Sequence, residues 1–256
     1  MKILITGGNG YIARSIYSSL FNKYDITTIN RQDFNLTDWQ ATNQFFKGKF
    51  FDVVIHTATT GGSRLKKDED SVLKDNLLMY RNLLANQDKY TKFISFGSGA
   101  ELGNPVTPYG ISKQVIAESM QSKVNFLNLR IFAVFDENEI DSRFIKSNIN
   151  RYANQENIII HEDKVMDFFY MADLISLIDY FLTKEEWTYN YIDCVYREKL
   201  KLTDIANIIN QLSDYKVPVE LQNPTGGEAY TGMWRGLPTE IVGLHQGIQN
   251  VYNILK

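Results

Sequence analysis

MKILITGGNGYIA, residues Met1–Ala13, is the stretch that decides the fold of this chain. Ile3, Leu4 and Ile5 form a short apolar run, as expected of a strand that is buried on both faces. Three glycines follow directly, and helical spacing continues from there to Phe21. The glycines let the backbone approach a pyrophosphate, and the N-terminus of the helix offers unpaired N–H groups and a partial positive charge. The stretch therefore predicts a strand, a phosphate-binding turn and a helix.

Short β-like runs alternate with longer helical stretches over most of the chain. The predicted strands are Lys2–Thr6, Asp25–Asn30, Val53–His56, Lys92–Phe96, Asn125–Arg130 and Tyr189–Cys194. The predicted helices are Ile12–Asn22, Asp38–Phe46, Asp70–Asp88, Pro108–Gln121, Ser142–Asn154 and Met171–Phe181. Such alternation is typical of an α/β fold, here a Rossmann-type doubly wound parallel sheet, which binds ligands beyond the carboxyl ends of its strands.

The last third of the sequence has a different pattern, with short extended pieces among helices and turns. These extended pieces are Asn157–Ile160, Val165–Tyr170 and Val217–Glu220. We expect a dinucleotide-binding Rossmann domain at 1–135, to which 171–195 returns. Residues 136–170 and 196–256 are expected to form a small C-terminal substrate-binding lobe.

The composition is that of an ordinary globular protein, with 44% hydrophobic and 22% charged residues among 256. A formal net charge of −3 offers no electrostatic basis for a nucleic-acid partner. Cys194 is the only cysteine, which excludes an intrachain disulfide and fits a reducing cytosol. The N-terminus lacks a signal-peptide pattern, and no apolar run approaches the length of a membrane span. We therefore predict a cytoplasmic protein with no membrane partner, and the isolated His161 and His245 predict no metal site.

Tyr109 and Lys113 lie four residues apart at the start of a predicted helix, just after Pro108. Residues at this spacing share a helix face, so the ammonium group can lie beside the phenol. A phenol with a pKa of ~10 is a poor acid–base catalyst at neutral pH, and a neighbouring cation lowers that pKa. Such a pair alone is typical of a solvated helix face. Ser98 follows a predicted strand, where its hydroxyl can hydrogen-bond a substrate oxygen, and together with the glycine turn it indicates catalysis.

These segments resemble the extended short-chain dehydrogenase/reductase family, or NAD-dependent epimerase/dehydratase family, in its nucleotide-sugar branch. Asp52–Ala58 (DVVIHTA) is similar to the family's V-I-H-x-A-A strand end, whose backbone lies along the cofactor. Asn35–Asp38 (NLTD) is similar to its D-L-x-D segment, and Asp167–Leu174 (DFFYMADL) to its R-D-F-x-x-V-x-D motif. Met166 stands where the family usually has arginine. The resemblance covers essentially the whole chain.

The resemblance implies three catalytic residues. Tyr109 would donate or accept the proton, Lys113 would bind the nicotinamide ribose and tune the tyrosine, and Ser98 would position the reacting carbonyl or hydroxyl. The implied cofactor-binding residues are Gly7, Gly8, Asn9, Gly10, Tyr11, Ile12, Arg31, Leu36, Thr57, Ala58, Thr59, Tyr109 and Lys113. For a nucleoside-diphosphate sugar, the implied substrate-binding residues are Ser98, Gly99, Arg143, Trp234 and Arg235. Family members often form homodimers through the helices that correspond to Asp70–Asp88 and Pro108–Gln121.

Within the branch, Asn30–Asp38 (NRQDFNLTD) and Ala58–Gly62 (ATTGG) resemble GDP-fucose synthase-like proteins. Those enzymes epimerise a 4-keto-6-deoxy sugar and then reduce it, and their epimerisation uses a cysteine two residues after the serine. Ala100 stands at that position here, and alanine cannot move a proton. Dehydratases of the family place an Asp-Glu pair directly after the Ser or Thr. Here Gly99 and Ala100 follow the serine, and Glu101 comes one position late.

The end of the second predicted strand favours one cofactor. An acidic side chain there binds the ribose of NAD, whereas an arginine suits the 2′-phosphate of NADP. The strand ends in Asn30-Arg31, with no carboxylate until Asp33, so we predict NADP, with NAD as the alternative. The predicted function is an NADP(H)-dependent reductase of a nucleoside-diphosphate 4-keto-6-deoxy sugar, with hydride transfer to C4 and Tyr109 as proton donor. An NAD-dependent nucleotide-sugar 4-epimerase is the first alternative, and a non-enzymatic NAD(P)-binding relative is the second.

Overall fold

The structure, a computed structural model, describes residues 1–63 and 66–256. The strands are β1 (Lys2–Thr6), β2 (Asp25–Ile29), β3 (Phe51–His56), β4 (Tyr90–Ser98), β5 (Phe126–Ile131), β6 (Val134–Phe135), β7 (Ile158–Glu162), β8 (Phe169–Tyr170), β9 (Tyr191–Cys194) and β10 (Val219–Asn223). The helices are α1 (Tyr11–Leu20), α2 (Trp39–Phe46), α3 (Ser71–Leu84), α4 (Pro108–Met120), α5 (Phe144–Ala153), α6 (Met171–Thr183), α7 (Leu202–Ile209) and α8 (Leu244–Leu255).

The central sheet has the strand order β2-β1-β3-β4-β5-β9. β1 pairs in parallel with both β2 and β3, and β3 pairs in parallel with β4. Thr6, the last residue of β1, lies opposite Ile29 of β2 and His56 of β3, so these three strands end side by side. The strand order reverses between β1 and β3, which is where doubly wound sheets bind their ligands. The predicted Rossmann-type α/β fold is confirmed.

Local sequence fixes where the helices around this sheet begin. The apolar residues of α1 recur at helical spacing, and Ala13, Ile16 and Leu20 are buried. The start of α4 is fixed because the Thr107 side chain accepts a hydrogen bond from the Gly110 N–H at 3.0 Å and proline occupies the first helical turn. The catalytic candidates on α4 therefore have a fixed position along the helix.

The chain forms two compact units, each with its own apolar core. The first contains 1–130 and 181–192, and the second contains 131–180 and 193–256. Packed side chains of β1, β3 and β4 with α2, α3 and α4 form the core of the first unit. In the second unit α5, α7 and α8 pack together, with β7 and β10 forming a separate two-stranded parallel sheet. The role of the second unit as a substrate-binding lobe stays a prediction.

Several observed elements differ in their bounds from the predicted ones. Of the extended piece predicted at Val165–Tyr170, only Phe169–Tyr170 is a strand, because Val165 and Met166 make isolated bridges to other segments instead. The predicted strand Lys92–Phe96 is longer at both ends and reaches Ser98, a candidate catalytic residue. Within the described ranges, no helix is both long and apolar enough to cross a membrane.

Candidate functional site

The turn after β1 is packed so closely that its glycines cannot be replaced without movement. Gly7 has a left-handed φ of 71°, and a methyl group there would lie 2.8 Å from the Cα of Ala58. A methyl group on Gly8 would lie 2.9 Å from the Cβ of Thr28. The Gly8 N–H donates to the carbonyl of Ile29 at 2.9 Å. The turn is therefore held between the ends of β2 and β3.

Helix α1 begins directly after this turn. Gly10 is its N-cap and has no side chain with which to cap it, and the first helical turn has no acidic residue. The helix therefore presents backbone N–H groups and its partial positive charge beside the glycine turn, which is the arrangement that binds phosphate groups.

A cavity of about 780 Å³ lies beside the glycine turn, within the first unit. Sites for small molecules and cofactors have volumes of roughly 300–1,000 Å³. The lining comes from the turn, the end of β2 and the segment after β3. Its residues are Gly7, Asn9, Gly10, Tyr11, Ile12, Ile29, Asn30, Arg31, Gln32, Phe34, Asn35, Leu36, Thr57, Ala58, Thr59, Thr60 and Met79. The volume, the helix N-terminus and the apolar wall fit a dinucleotide.

The predicted cofactor residues line this cavity, with three exceptions. Gly8 lies behind the turn, bonded to Ile29, while Tyr109 and Lys113 belong to α4. Sequence reasoning did not select Ile29, Asn30, Gln32, Phe34, Asn35, Thr60 or Met79. Most of these flank selected positions and were identifiable as neighbours. Met79 was not, because it comes from the middle of α3 and only folding brings it to the wall.

At the end of β2, Arg31 lines the cavity, whereas the nearest carboxylate, that of Asp33, hydrogen-bonds to the local backbone. The Asp33 side chain accepts a hydrogen bond from the Asn30 N–H at 2.8 Å, and the Asn30 side chain accepts one from the Gln32 N–H at 2.8 Å. Asp33 therefore closes a local turn. Arg31 is exposed, and among the described residues that line the cavity it is the one with a charged side chain. It also borders a second hollow of about 330 Å³, whose lining has both lysines (Lys66 and Lys67) and carboxylates (Asp68, Glu69 and Asp75).

The end of β3 is fixed by a buried histidine. The Nδ1 atom of His56 lies 2.8 Å from the hydroxyl of Thr6, and the Thr57 hydroxyl donates to the Thr6 carbonyl at 2.6 Å. Burial, with a smaller contribution from the charge of Lys113, lowers the pKa of His56 to about 3. The ring is therefore neutral at physiological pH, and its position supports a packing role beside the cavity.

Ser98 ends β4 and caps a one-turn 3-10 helix, Gly99–Glu101. Its hydroxyl accepts a hydrogen bond from the Ala100 N–H at 3.2 Å, and its own N–H donates to Oε2 of Glu101 at 3.0 Å. Oε1 of Glu101 accepts hydrogen bonds from Nε of Arg130 at 2.6 Å and Nδ2 of Asn128 at 3.0 Å. Glu101 is thus a buried residue bonded to the Ser98 backbone, whereas its sequence position shows only that it comes one residue late for a dehydratase.

Lys113 projects from α4 to the end of β4. Its ammonium group donates to the carbonyl of Phe96 at 2.7 Å and lies 5.5 Å from the centre of the Tyr109 ring. The side chain is buried, and this burial lowers the pKa of Lys113 to about 8, although the carboxylate of Glu101 acts in the opposite direction. Lys113 is therefore largely charged at neutral pH.

Tyr109 is also held by the segment that precedes α3. The carboxylate of Asp68 accepts hydrogen bonds from the Gly62 N–H at 2.8 Å and from the Tyr109 N–H at 3.2 Å. Gly62 has a left-handed φ of 72° and packs on the Tyr109 ring. Asp68 therefore links the loop after β3 to the first turn of α4.

A buried asparagine links the same loop to both helices. Asn76 of α3 accepts a hydrogen bond from the Thr60 N–H at 2.9 Å and donates to the Thr60 carbonyl at 3.0 Å and to the Ser112 hydroxyl at 3.0 Å. The Ser112 hydroxyl donates to the carbonyl of Tyr109 at 2.7 Å. Neither Asn76 nor Asp68 carried a motif that sequence reasoning could use.

Three of the predicted substrate residues belong to the second unit. Arg143 is the exposed N-cap residue of α5, Trp234 is half-buried and Arg235 is exposed. The loop that carries Trp234 is anchored two residues earlier. The Asp167 carboxylate accepts a hydrogen bond from the Gly232 N–H at 2.8 Å and another from the Lys199 ammonium. The Asp193 carboxylate accepts one from the Met233 N–H at 2.7 Å. Gly99 follows Ser98 in the first unit and is buried.

The first unit contains the glycine turn at the start of α1 and three polar side chains on α4 and β4. Tyr109 has a phenolic hydroxyl, the Lys113 ammonium lies 5.5 Å from the centre of the Tyr109 ring, and the Ser98 hydroxyl lies at the end of β4. No cluster of three or more His, Cys, Asp or Glu side chains suited to a metal ion occurs in the described part of the chain. The fold and these groups are those of a dinucleotide-dependent enzyme of the Rossmann class.

Comparison with known proteins gives the family. Residues 3–191 match the NAD dependent epimerase/dehydratase family. CDP-abequose synthase from Yersinia pseudotuberculosis is 22% identical over 241 residues, which are 84% of this chain and 85% of that protein. The chain belongs to the NAD-dependent epimerase/dehydratase family, and it is an NAD(P)-dependent enzyme of the extended short-chain dehydrogenase/reductase type.

Solved structures of this fold include enzymes of two reaction types. UDP-glucose 4-epimerase from Thermotoga maritima has a TM-score of 0.79 at 16% identity, over 100% of this chain and 98% of that one. GDP-mannoheptose C4 reductase from Campylobacter jejuni, with NADP bound, also has a TM-score of 0.79 at 16% identity, over 98% and 97%. At 16% identity the likeness establishes the fold, but it does not distinguish reduction from epimerisation.

Proposed function

We propose that this protein is an NADPH-dependent reductase of a nucleoside-diphosphate 4-keto-6-deoxy sugar. The observation that carries the proposal is the placement of Arg31 at the cavity with Asp33 turned onto Asn30. A guanidinium is the natural partner of the 2′-phosphate that distinguishes NADP from NAD. Reductases consume NADPH stoichiometrically, whereas sugar 4-epimerases usually retain and recycle NAD.

In the proposed reaction the chain's residues supply the proton and hold the sugar oxygen. A bound reduced nicotinamide supplies the hydride for the C4 carbonyl carbon. Tyr109 gives its phenolic proton to the C4 oxygen, so that the ketone becomes an alcohol, and the phenolate regains its proton from solvent. Lys113 lies 5.5 Å from the ring centre and stabilises that phenolate. The Ser98 hydroxyl hydrogen-bonds the C4 oxygen and orients the carbonyl.

The surroundings of Glu101 support reduction over dehydration. A dehydratase needs a carboxyl group that reaches the substrate and moves a proton. Both carboxylate oxygens of Glu101 instead accept hydrogen bonds from Ser98, Asn128 and Arg130, and the side chain is buried. A 4-epimerase needs no such additional group, so it stays the second candidate, and UDP-glucose 4-epimerase is among the solved structures with this fold.

The test is oxidation of NADPH and NADH with GDP-, dTDP-, UDP- and CDP-linked 4-keto-6-deoxy sugars. Consumption of NADPH with one of these sugars, with the alcohol identified by mass spectrometry, would support the reductase and identify the nucleotide. An inactive panel and protein that purifies with tightly bound NAD would support the epimerase. An inactive panel with no bound cofactor would leave the non-enzymatic relative.

The proposed assembly is a homodimer, and the proposed location is the cytoplasm. α3 and α4, the helices through which related enzymes pair, pack against each other in this chain, and Tyr80 of α3 lies 2.6 Å from the Ser119 hydroxyl of α4. Light scattering on the purified protein tests the dimer, and a monomer at micromolar concentration would contradict it.

A further inference from the structure

Glu101 is the buried carboxylate nearest in sequence to the catalytic candidates. Its side chain is 1% exposed, and it accepts hydrogen bonds from the Ser98 N–H, from Asn128 and from Arg130. A carboxylate that is removed from water persists in its charged form when donors and a cation surround it. Here the donors come from β4 and β5, so Glu101 lies on the structure that carries Ser98.

The backbone of β4 is adapted to this carboxylate. A methyl group on Gly97 would lie 2.6 Å from Oε2 of Glu101 and 2.7 Å from the side-chain amide of Asn128. Glycine at this position lets the carboxylate pack directly against the strand. Phe96, one residue earlier, gives its carbonyl to the Lys113 ammonium at 2.7 Å. At the end of β4, Phe96 therefore contacts Lys113, and the next residue, Gly97, contacts Glu101.

Glu101 and Lys113 also interact electrostatically. Burial lowers the pKa of Lys113 to about 8, and the negative charge of Glu101 limits this fall. Tyr109 on the same helix and His56 on β3 also lie near Lys113, and His56 is neutral because burial lowers its pKa to about 3. Arg130 is the cation that faces Glu101 from β5.

We propose that Glu101 is a positioning residue that holds the end of β4 and supplies a negative charge there, so that it fixes both the Ser98 backbone and the strand carbonyl that binds the Lys113 ammonium. The inference rests on the roles given above to Ser98 and Lys113. The carboxylate would therefore act through two catalytic candidates without touching the substrate. In sequence terms, the Glu that is one position late for a dehydratase serves a different purpose here.

The test measures the titration of Lys113 in the free protein, so it does not depend on finding the sugar. Lysines are labelled with ¹³C at the ε position, and the Lys113 signal is assigned as the one missing from Lys113→Arg. The variants are Glu101→Gln, which removes the negative charge, and Arg130→Gln, which removes its partner but keeps the carboxylate. Circular dichroism and thermal unfolding establish that each variant is folded.

A change of charge and a loss of structure give different results. We expect the titration midpoint of Lys113 to fall by about half a pH unit or more in Glu101→Gln, and to stay or rise in Arg130→Gln. Glu101→Asp, which keeps the charge, should restore a midpoint close to that of the unmodified protein. An unchanged midpoint in folded Glu101→Gln would overturn the proposal. If that variant does not fold, the same titration is made on Glu101→Ala, and an unchanged Lys113 midpoint in that folded variant would overturn the proposal.

Activity separates this inference from the proposed function. With an active sugar, the alkaline limb of kcat should move to lower pH in Glu101→Gln, together with the Lys113 midpoint, while KM for NADPH changes less. If the unmodified protein reduces no sugar, the proposed function fails and the titration still decides whether Glu101 controls the charge of Lys113. A uniform loss of kcat at every pH, with no shift of its limb, would indicate a structural role only.

Discussion

Gly62 packs against the hydroxyl-bearing end of the Tyr109 ring. A methyl group on Gly62 would lie 2.8 Å from Cζ of Tyr109, the atom that bears the hydroxyl, and 2.9 Å from both neighbouring ring carbons. The Gly62 N–H and the Tyr109 N–H share the carboxylate of Asp68. The loop after β3 therefore packs against the phenol. Gly62 is required there for two reasons, its left-handed φ and its close contact with the Tyr109 ring.

Replacing Gly62 with alanine should displace the phenol. A small misplacement of a catalytic group costs about 10-fold to 100-fold in rate, so we expect kcat of Gly62→Ala to fall by that amount. Gly48→Ala is the matched control, because Gly48 has a similar φ of 71° but no neighbour within 4 Å of the added methyl group. Both variants carry the same backbone strain. An equal loss of kcat in the two would show that strain, and not the contact with Tyr109, is responsible.

Tyr109→Phe tests the proton donor. The variant lacks the hydroxyl but keeps the ring that packs on Gly62, so we expect kcat to fall by about 100-fold or more while NADPH binding changes little. Turnover and cofactor fluorescence are the two measurements. Tyr17→Phe, which alters an exposed tyrosine of α1, is the control. Loss of NADPH binding in Tyr109→Phe would contradict the assigned role.

Arg31→Gln tests the choice of cofactor. Removing a charge-assisted contact with a phosphate costs about 1.5–3 kcal/mol, so the Kd of NADPH should rise by about 10-fold to 100-fold. The Kd of NADH should stay nearly constant, because NADH lacks the 2′-phosphate. Arg14→Gln removes another exposed arginine, on α1, and should affect neither cofactor. A parallel weakening of both cofactors in Arg31→Gln would exclude the proposed recognition of the 2′-phosphate.

His56 should make the protein less stable in mild acid. Because burial lowers its pKa from 6.5 to about 3, the unfolded chain takes up a proton between these values that the folded protein does not. Stability from this group is therefore lost as the pH falls below 6.5. The free energy of unfolding of the unmodified protein, relative to His56→Gln, should decrease by about 2 kcal/mol from pH 7 to pH 5.

Urea unfolding at the two pH values measures this difference. His161→Gln serves as the control, because His161 is exposed. If the unmodified protein and His56→Gln lose stability equally between pH 7 and pH 5, His56 does not titrate as the burial of its ring requires.

Local sequence was sufficient where neighbouring residues determine the structure. The strand at Lys2–Thr6 was predicted with its observed bounds, because an apolar run followed by glycines has few alternatives. Proline at position 108 and the Thr107 cap likewise made the start of α4 readable. The prediction at Val165–Tyr170 was wrong for its first part, since pairing with distant segments decided the outcome there.

The site could be predicted only in part. Residues carried by motifs, such as Ser98, Tyr109 and Lys113, were selected from the sequence, and their catalytic roles stay predictions. Asp68 and Glu101 were not recognised as supporting residues. An acidic residue in a loop is ordinarily solvated, and nothing in its immediate sequence shows that a distant N–H or guanidinium will meet it.

The sequence by itself determined the class of this protein: the order of strands and helices, the glycine turn between β1 and α1, and the tyrosine and lysine on one helix face. These features depend on residues within a few positions of each other. Only the tertiary structure decided that Gly62 packs on Tyr109 and that Glu101 is enclosed by Arg130 and Asn128. The physical reason is that parallel strands are joined by long crossovers, so the groups at their carboxyl ends become neighbours through sheet register, which no local pattern encodes.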